Sequence, residues 1–307
     1  MKKKLALMLA VSMTVGGVLT GCGSASNDAG PAAADAAEDA GAGEDAAAAE
    51  ADSADAAEAD GAEDAGAADA SGDANLVYAV EAGSAGEAAA EENGFQTNVV
   101  ASQADALMEV ASGTSDAAII DLLMAGAMIG EGTSYPNLIH TTELTTEEYG
   151  VGCRKGSDLA SFINSVFGES YADGTMEETA AVYGVQEALV EQAASEFVES
   201  GEDSDVAYIK DKGTLIVGIT EFEPMDYKDG SGEWIGFDAD MARITAEKLG
   251  VEAQFVVIDW DNKIMELDSG NIDVVWNGMT LTSETTSAME CTNAYCNNAQ
   301  VIVVPAE

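Results

Sequence analysis

Residues 272–285 read IDVVWNGMTLTSET. The apolar run IDVV predicts a buried strand, and a glycine and four hydroxyl side chains follow within ten residues. Glycine lets another group approach the backbone closely, and hydroxyls donate hydrogen bonds without the desolvation cost of an ammonium group. The stretch therefore predicts a strand whose end holds a small polar molecule.

This stretch closes a series of alternating strands and helices. From residue 214 the chain reads strand TLIVGIT, helix DADMARITAEKLG, strand AQFVVI, helix NKIMELDSG and strand IDVVW, and the apolar strand NAQVIVVPAE ends the sequence. A similar series begins at residue 76, where strands NLVYAVEAG, TNVVAS and DAAIID alternate with helices AGEAAAEENG, QADALMEVASG and LLMAGAMIG. Alternating strands and helices predict mostly parallel sheets flanked by helices, so we predict two α/β lobes.

The two series are joined by a strand and two helices. EEYGVGCRKG predicts a strand, and amphipathic helices are predicted at about Leu159–Phe167 and Met176–Gln192. The acidic run SEFVESGEDSD at 195–205 predicts a surface connection to the second series.

The N-terminus predicts export. Three lysines, an apolar stretch and Leu19-Thr20-Gly21-Cys22 predict a signal peptide over 1–21. Residues 19–22 resemble a bacterial lipobox, which implies that Cys22 becomes a lipid-modified N-terminus on the outer face of the cell membrane. The alternative is an ordinary secretory signal in which the cysteine is incidental.

Charge excludes two classes of partner. The chain has 57 acidic and 11 basic residues and a formal net charge of −46, which argues against nucleic acids and against electrostatic binding to anionic lipid. Residues 22–75 are almost entirely Ala, Asp, Glu and Gly, which predicts a disordered acidic linker. An acidic metal buffer is the alternative, but the segment offers no defined ligand geometry.

The globular residues resemble a known family. GTLIVGITEFEPMDYKDGSGEWIGFDADMARITAEKLG and the following residues to MTLT are similar to the first lobe of the polar amino-acid family, family 3, of solute-binding proteins that serve ABC importers. AVEAGSAGE, DALMEVASGTSDAAIID and EEYGVGCRKGSDL are similar to the second lobe and the return strand of the same family. The resemblance implies a type II periplasmic-binding-protein fold of two lobes, and a monomer that closes on a small polar ligand, most simply an amino acid.

The lobes occur in reversed order relative to that family. The resemblance divides the chain into the second lobe (76–147), the hinge return strand and closing helices of the first lobe (148–204), the first lobe (205–298) and a hinge strand (299–307). Either the chain is a circular permutant joined through 195–208, or it carries two incomplete copies in tandem. Each half supplies what the other lacks, which favours the permutant, and chain termini that lie close together make such a join tolerable.

The resemblance also implies ligand contacts, each just after a strand. The residues implied are Ser84, Asp121, Phe222, Trp260, Asn277, Gly278, Thr280 and Thr282. The two rings would sandwich the ligand, the 277–282 loop and Ser84 would bind its carboxylate, and Asp121 would receive its ammonium group. The alternatives are core packing for both aromatic rings and a helix N-cap for Asp121, whereas Trp276 is assigned to the core.

The sequence departs from the family pattern at the position that would bind the ligand carboxylate. Thr285 stands where the family has an arginine that forks onto the ligand carboxylate, and no residue from Ser283 to Cys296 is basic. Lys263 is the nearest candidate in sequence, although a solvated helix lysine is the simpler interpretation.

The remaining reactive residues leave alternatives open. Cys291 and Cys296 either form a disulfide or stay as free thiols, and Cys153 has no evident partner. The lone His140 gives neither a metal site nor a catalytic set, so no cofactor or metal is expected. A dehydratase-type enzyme on the same scaffold would need a cleft acid or base, for which Glu221 and Glu223 are candidates, and a receptor for a signalling partner would use the same cleft.

Overall fold

The computed structural model describes residues 72–201 and 204–306. The predicted signal peptide, the lipid-attachment residue Cys22 and the linker up to residue 71 lie outside the described residues.

Strands and helices alternate along both halves of the chain, as the sequence predicts. The elements of the first half are, in chain order, β1 (Val77–Glu81), α1 (Ala85–Glu92), β2 (Gln96–Val100), α2 (Gln103–Ser112), β3 (Ala117–Asp121), α3 (Leu122–Met128), β4 (Leu138–Glu143), β5 (Glu147–Cys153), α4 (Leu159–Asp173) and α5 (Thr175–Tyr183). The elements of the second half are α6 (Asp205–Lys212), β6 (Thr214–Ile219), β7 (Tyr227–Lys228), β8 (Trp234–Ile235), α7 (Phe237–Leu249), β9 (Glu252–Val257), α8 (Lys263–Asp268), β10 (Val274–Thr280), α9 (Ser283–Ala288), β11 (Glu290–Cys291), β12 (Cys296–Asn298) and β13 (Gln300–Pro305).

The strands form two main sheets, and each sheet uses a strand from the other half of the chain. The five-stranded sheet has the order β2-β1-β3-β13-β4, so the last strand of the described chain lies between two strands of the first half. The six-stranded sheet has the order β11-β5-β10-β6-β9, with β12 also paired to β5. We call the six-stranded sheet with its helices the first lobe and the five-stranded sheet with its helices the second lobe.

Strand direction follows this exchange. Pairs that belong to one βαβ series, such as β1 with β2 and β3, or β6 with β9 and β10, are parallel. The exchanged strands β5 and β13 run antiparallel to their neighbours. The α/β class predicted from the sequence is confirmed, with two sheets flanked by helices.

The chain passes between the sheets at two places. The first crossing is residues 144–146, between β4 and β5, and the second is Ala299, between β12 and β13. Leu144 N donates to Gln300 O at 2.7 Å, so the two crossings lie side by side. Adjacent crossings of this kind are typical of a hinge, because few backbone dihedrals need to change when the lobes move.

The core of the first lobe surrounds Trp276, which is fully buried, as the sequence assigns it. Its ring packs edge-on against Phe167, with centroids 5.6 Å apart, and Phe167 in turn contacts Tyr295. Aromatic rings at these distances gain about 0.5–1.5 kcal/mol per pair beyond their buried area. This cluster joins α4 to β10, which come from opposite halves of the chain.

Three local predictions are corrected. The helix predicted to run to Gln192 ends at Tyr183, because Gly184 adopts a left-handed conformation and only a single 3₁₀ turn, Gln186–Ala188, follows. The 195–205 connection leads directly into the unpredicted helix α6, whose N-cap is Ser204. The strand that begins with IDVV continues to Thr280 instead of ending before Asn277.

Side chains hold the connection and α6 against the first lobe. The Asp158 carboxylate accepts hydrogen bonds from Ser200, Ser204 and the Val206 backbone N–H at 2.6–3.1 Å. Arg154 forms an ion pair with Asp205 at 3.0 Å. The segment that joins the two halves is therefore bonded to the rest of the first lobe.

Candidate functional site

A cavity of about 260 Å³ opens between the two lobes, where β1, β3, β6 and β10 end. All eight residues that the sequence predicts as ligand contacts line this cavity: Ser84, Asp121, Phe222, Trp260, Asn277, Gly278, Thr280 and Thr282. Ser84 and Asp121 come from the second lobe and the other six from the first. The fold therefore brings the predicted contacts from both halves of the chain to one cleft.

Asp121 is the most heavily hydrogen-bonded acid in this cleft. Its Oδ1 accepts from Tyr149 at 2.7 Å, from Gln300 at 3.0 Å and from Asn298, whereas Oδ2 accepts only from Gln103. Although Asp121 precedes α3, its side chain makes no capping hydrogen bond. Asp121 therefore occupies the N-cap position without capping the helix through its side chain, and one oxygen keeps capacity for a further donor.

Burial decides the charge of Asp121. Desolvation, reinforced by the neighbouring Glu147 carboxylate, raises the pKa of Asp121 to about 7, against the opposing effect of its hydrogen-bond donors. Asp121 therefore titrates near neutral pH when the cleft holds no ligand.

Glu147, at the start of β5, is a neighbour that the sequence interpretation missed. Its Oε2 accepts from Thr280 and from Gln300, both at 3.0 Å, and from Asn298 at 3.3 Å. Asn298 and Gln300 thus bond both Glu147 and Asp121, and Glu147, Asn298 and Gln300 flank the two crossings. The hydrogen-bond network couples the cleft directly to the hinge.

The hydroxyl-rich loop forms a tight helix start. Thr282 caps α9 by accepting from Thr285 N at 3.1 Å, and Thr285 Oγ1 accepts from Thr282 N at 2.9 Å, which makes a reciprocal capping box. Thr285, which replaces the arginine of the family pattern, is buried and serves this local structure. No basic side chain reaches the cleft from this loop.

Asn277 and Gly278 line the cavity but make bonds within the first lobe. Asn277 Oδ1 accepts from the Thr220 N–H and hydroxyl at 2.6 and 2.7 Å, and the Gly278 N–H donates to Asp238 at 2.7 Å. The structure therefore gives these two residues a role in fixing the end of β10. Thr280 and Thr282 also line the cavity, and the Thr280 hydroxyl donates to Glu147.

The two predicted rings differ in their surroundings. Phe222 packs edge-on against Tyr149, with centroids 6.3 Å apart, and Trp260 begins a 3₁₀ turn over the first-lobe cluster that contains Met279 and Met289. Both rings are buried and both line the cavity, so each combines packing with a surface that faces the cleft.

The structure contradicts the interpretation of Lys263 as a solvated lysine on a helix. Only 8% of this residue is exposed, and its Nζ donates to Gly83 O of the opposite lobe at 2.8 Å and to Trp260 O at 3.2 Å. The ammonium also lies 5.0 Å from the Trp260 ring centroid. Desolvation lowers the pKa of Lys263, although nearby acids, Glu284 first among them, oppose this.

The Gly83-Ser84 turn meets Lys263 at the rim of the cleft. Ser84 caps α1 by accepting from Glu87 N at 3.1 Å, and the Gly83 N–H donates to Glu87 Oε2 at 2.7 Å. A Cβ on Gly83 would lie 2.8 Å from the Asp261 Cα, so the two lobes touch at this point. Lys263 and Asp261 therefore hold the second-lobe turn against the first lobe.

Glu81, the last residue of β1, also lines the cavity and was not predicted. It is 3% exposed, and burial, with the charge of Asp121 as the next cause, raises its pKa to about 8, whereas Lys263 lowers it. The sequence signal was a single acid at the end of an otherwise apolar strand.

The structure decides between the two alternatives for Cys291 and Cys296. Both are free thiols in the described residues, as is Cys153. Cys291 pairs with Gly152 and Cys296 with Tyr149 along β5, which separates them by about 10 Å at 3.3 Å per strand residue, too far for a disulfide.

The two glutamates suggested for the dehydratase alternative lie outside the cleft. Glu221 and Glu223 line a separate cavity of about 170 Å³ together with Tyr227 and Lys228. Among the described residues no cluster of His, Cys, Asp and Glu has the arrangement of a metal site. None of the described helices has the length and hydropathy needed to cross a bilayer.

Comparison with known proteins finds a family match in the second half of the chain. Residues 215–307 match the model of the bacterial extracellular solute-binding proteins, family 3, over less than a third of the chain. The matched residues contain β6 to β13 and therefore six of the eight predicted ligand contacts.

Individual relatives match over a limited length. The L-cystine-binding protein TcyJ of Escherichia coli (strain K12) is 38% identical over 77 residues, which are 25% of this chain and 29% of that protein. The cyclohexadienyl dehydratase of Pseudomonas aeruginosa is 31% identical over 84 residues, which are 27% of this chain and 31% of that enzyme. The chain thus spans less than a third of the length of either relative.

Among solved structures, the chain is similar to an ancestral cationic amino acid solute-binding protein. The two are 40% identical over 27% of this chain and 37% of that one, with a TM-score of 0.27.

Proposed function

We propose that the chain is an extracytoplasmic solute-binding protein that captures a small polar solute, an amino acid, and delivers it to an ABC transporter. The observation that carries the proposal is the single cavity lined by Asp121 and Ser84 of one lobe and by Trp260, Thr280 and Thr282 of the other. An α-ammonium group fits the free capacity of Asp121 Oδ2, and the Ser84 and Thr282 hydroxyls suit the carboxylate, which the Thr280 hydroxyl reaches only by turning away from Glu147. The extracellular family match of residues 215–307 supports the same class.

Hinge closure is the mechanism that this arrangement supports. A ligand bound to one lobe supplies contacts to the other only when the lobes are closed, so binding draws its differential energy from closure. The adjacent crossings at 144–146 and 299 give the hinge, and the hydrogen bonds of Glu147 and Asp121 connect the hinge to the ligand. The closed form is the one that an importer would recognise.

The order of the lobes fits a circular permutant. The insertion of β13 between β3 and β4 supports one fold built from both halves rather than two incomplete copies. Limited proteolysis within 195–208 tests this: a permuted fold stays associated after cleavage, whereas independent copies separate on gel filtration.

The lipid anchor at Cys22 and the 22–75 linker complete the proposal, and both rest on the sequence. Metabolic labelling with a palmitate analogue in a bacterial host should modify the chain and leave the Cys22→Ser variant unmodified. Absence of label on the parent chain would limit the proposal to a secreted protein.

A thermal-shift screen against amino acids, polyamines and small peptides identifies the ligand, because a molecule that binds only the native state raises the melting temperature. Asp121→Ala should remove the binding measured by calorimetry, and Asp268→Ala, which changes an exposed acid of α8, should retain it. Binding unchanged by Asp121→Ala would contradict the assignment.

Turnover distinguishes this function from the enzyme alternative. The acids proposed for a dehydratase, Glu221 and Glu223, line the second cavity rather than the cleft. The ligand identified in the screen should be recovered unchanged after incubation, and its conversion to a product would favour the enzyme.

A further inference from the structure

The Glu81 carboxylate lies in the cleft and has no role in the function proposed above. It lies at the end of β1, next to β3, which ends in Asp121. It is 3% exposed and lines the cavity. Its Oε1 has no hydrogen-bond partner among the described residues, and a buried carboxylate oxygen without a donor is costly.

The neighbouring amide does not satisfy Glu81. Gln103 lies close enough to lower the pKa of Glu81, but its Nε2 donates to Asp121 and its Oε1 accepts from the Asp121 N–H at 2.9 Å. The fold thus gives Asp121 four side-chain donors, whereas Oε1 of Glu81 has none among the described residues. The two acids therefore have different roles.

Lys263 does not neutralise Glu81 by direct contact. Its ammonium donates to the carbonyl oxygens of Gly83 and Trp260, and among the described residues it forms no ion pair within 4.0 Å. Of the residues that the structure describes, it is also the one basic residue that lines the cavity, against the acids Glu81, Glu92, Asp121 and Glu284. The cleft therefore carries an excess of acidic groups that a zwitterion, with no net charge, leaves uncompensated.

We infer that Glu81 is a specificity-determining residue that binds the cationic side chain of the ligand, so that the preferred substrates are amino acids with an ammonium or guanidinium side chain. This inference rests on the proposed function and adds a second charged contact to it. Asp121 receives the α-ammonium group, and Glu81 receives the charge at the far end of the side chain. A cation in this place supplies the hydrogen-bond donor that the fold withholds from Glu81.

Two pairs of probes isolate the side-chain charge. L-arginine is compared with its neutral analogue L-citrulline, and L-lysine with L-norleucine, by calorimetry on the full chain. At least one cationic probe should bind about tenfold or more tightly than its neutral partner, because a hydrogen bond to a charged group is lost in the neutral analogue. Equal or tighter binding of both neutral probes overturns the inference.

Glu81→Gln and Glu91→Gln form the matched pair of variants. Both remove one negative charge from the second lobe, but Glu91 is exposed on α1 outside the cavity lining whereas Glu81 is buried in that lining. Glu81→Gln should weaken the cationic probe about tenfold or more and leave the neutral probe within about twofold. Glu91→Gln should leave both unchanged, and an equal loss for the two probes in Glu81→Gln contradicts the inference.

Two controls separate a loss of folding from a loss of the contact to the ligand cation. Glu81→Asp, which keeps the charge on a shorter side chain, should recover part of the preference for the cation, and a melting temperature for each variant shows that the protein is folded. If neutral amino acids bind while the cationic preference is absent, the inference fails and the proposed function stands. If no amino acid binds the parent chain, the proposed function itself fails.

Discussion

The contact between Gly83 and Asp261 provides the sharpest mutational test of closure. Gly83 has a φ of +67°, and a Cβ placed there would lie 2.7 Å from Asp261 Oδ1 and 2.8 Å from Asp261 Cα. Ordinary contacts begin at 3.4 Å. The carboxylate can rotate away, but the Asp261 backbone cannot, so Gly83→Ala must separate the lobes at the rim of the cleft.

The expected magnitude has two parts. A left-handed conformation costs an L-residue about 1–2 kcal/mol, which lowers stability. Separation also stretches the 2.8 Å bond from Lys263 Nζ to Gly83 O, and a hydrogen bond from a charged group contributes about 1.5–3 kcal/mol. We therefore expect Gly83→Ala to weaken ligand binding by about tenfold or more, since 1.4 kcal/mol is a factor of ten.

Gly94→Ala is the matched control. Its φ of +69° imposes the same backbone cost, but nothing lies within 4 Å of the added Cβ. Both variants should lose stability by the backbone cost in urea titration, and Gly83→Ala should lose more because of the Asp261 contact. Only Gly83→Ala should lose affinity in calorimetry with the amino acid that most raises the melting temperature. Equal affinities in the two variants would refute a closed cleft with this rim contact.

Three further perturbations test other parts of the structure. Binding of a cationic amino acid should weaken as pH falls from about 8 to 6, measured by calorimetry, because protonation of Glu81 and Asp121, whose pKa values are raised to about 8 and 7, competes with the cation; constant affinity would contradict this. Burial raises the pKa of Asp226 well above its usual value, so the folded state binds more protons than the unfolded chain and stability falls as pH rises from about 4 upward. Asp226→Asn should flatten that part of the melting-temperature profile, and an unchanged slope would contradict it. Trp276→Ala, at a fully buried ring packed on Phe167, should cost about 3–5 kcal/mol in urea unfolding, and a loss below about 1 kcal/mol would argue against this core.

The sequence predicts the class of fold, and it puts its candidate contacts at strand ends that the structure brings to one cavity, because both depend on local patterns. Apolar runs followed by polar residues mark the ends of β1, β3 and β10, and the carboxyl ends of parallel strands meet at one edge of each sheet. That rule, together with the family resemblance, predicts Ser84, Asp121 and Thr280 as neighbours of one cleft without any knowledge of their distances.

What the sequence does not predict depends on contacts between distant residues. Lys263 reads as an ordinary surface lysine of α8, and only the carbonyl of Gly83, 180 residues away, explains why it is buried. Glu81 reads as an acid beside a turn, and only the lack of a donor around it distinguishes it from Asp121. Such properties arise when the lobes meet, so no local pattern carries them.

Hydrogen bonds also give some residues that the sequence pattern singles out a different role from the one the pattern suggests. Thr285 marks the site of the missing arginine, but its role is to complete the capping box of α9 with Thr282. Asn277 lies in the predicted loop, yet its amide bonds Thr220 and Asp226 within the first lobe. Position along a strand predicts which residues approach the cleft, whereas hydrogen-bond competition decides which of them remain available to a ligand.

A crystal structure of the full chain with the amino acid that gives the largest thermal shift tests the central claim most directly. The account predicts electron density for one ligand between the lobes, with its ammonium group within hydrogen-bond distance of Asp121 Oδ2 and its carboxylate at the Thr280 and Thr282 hydroxyls. Density on a single lobe, or outside the cavity that Asp121 and Thr280 share, would contradict it.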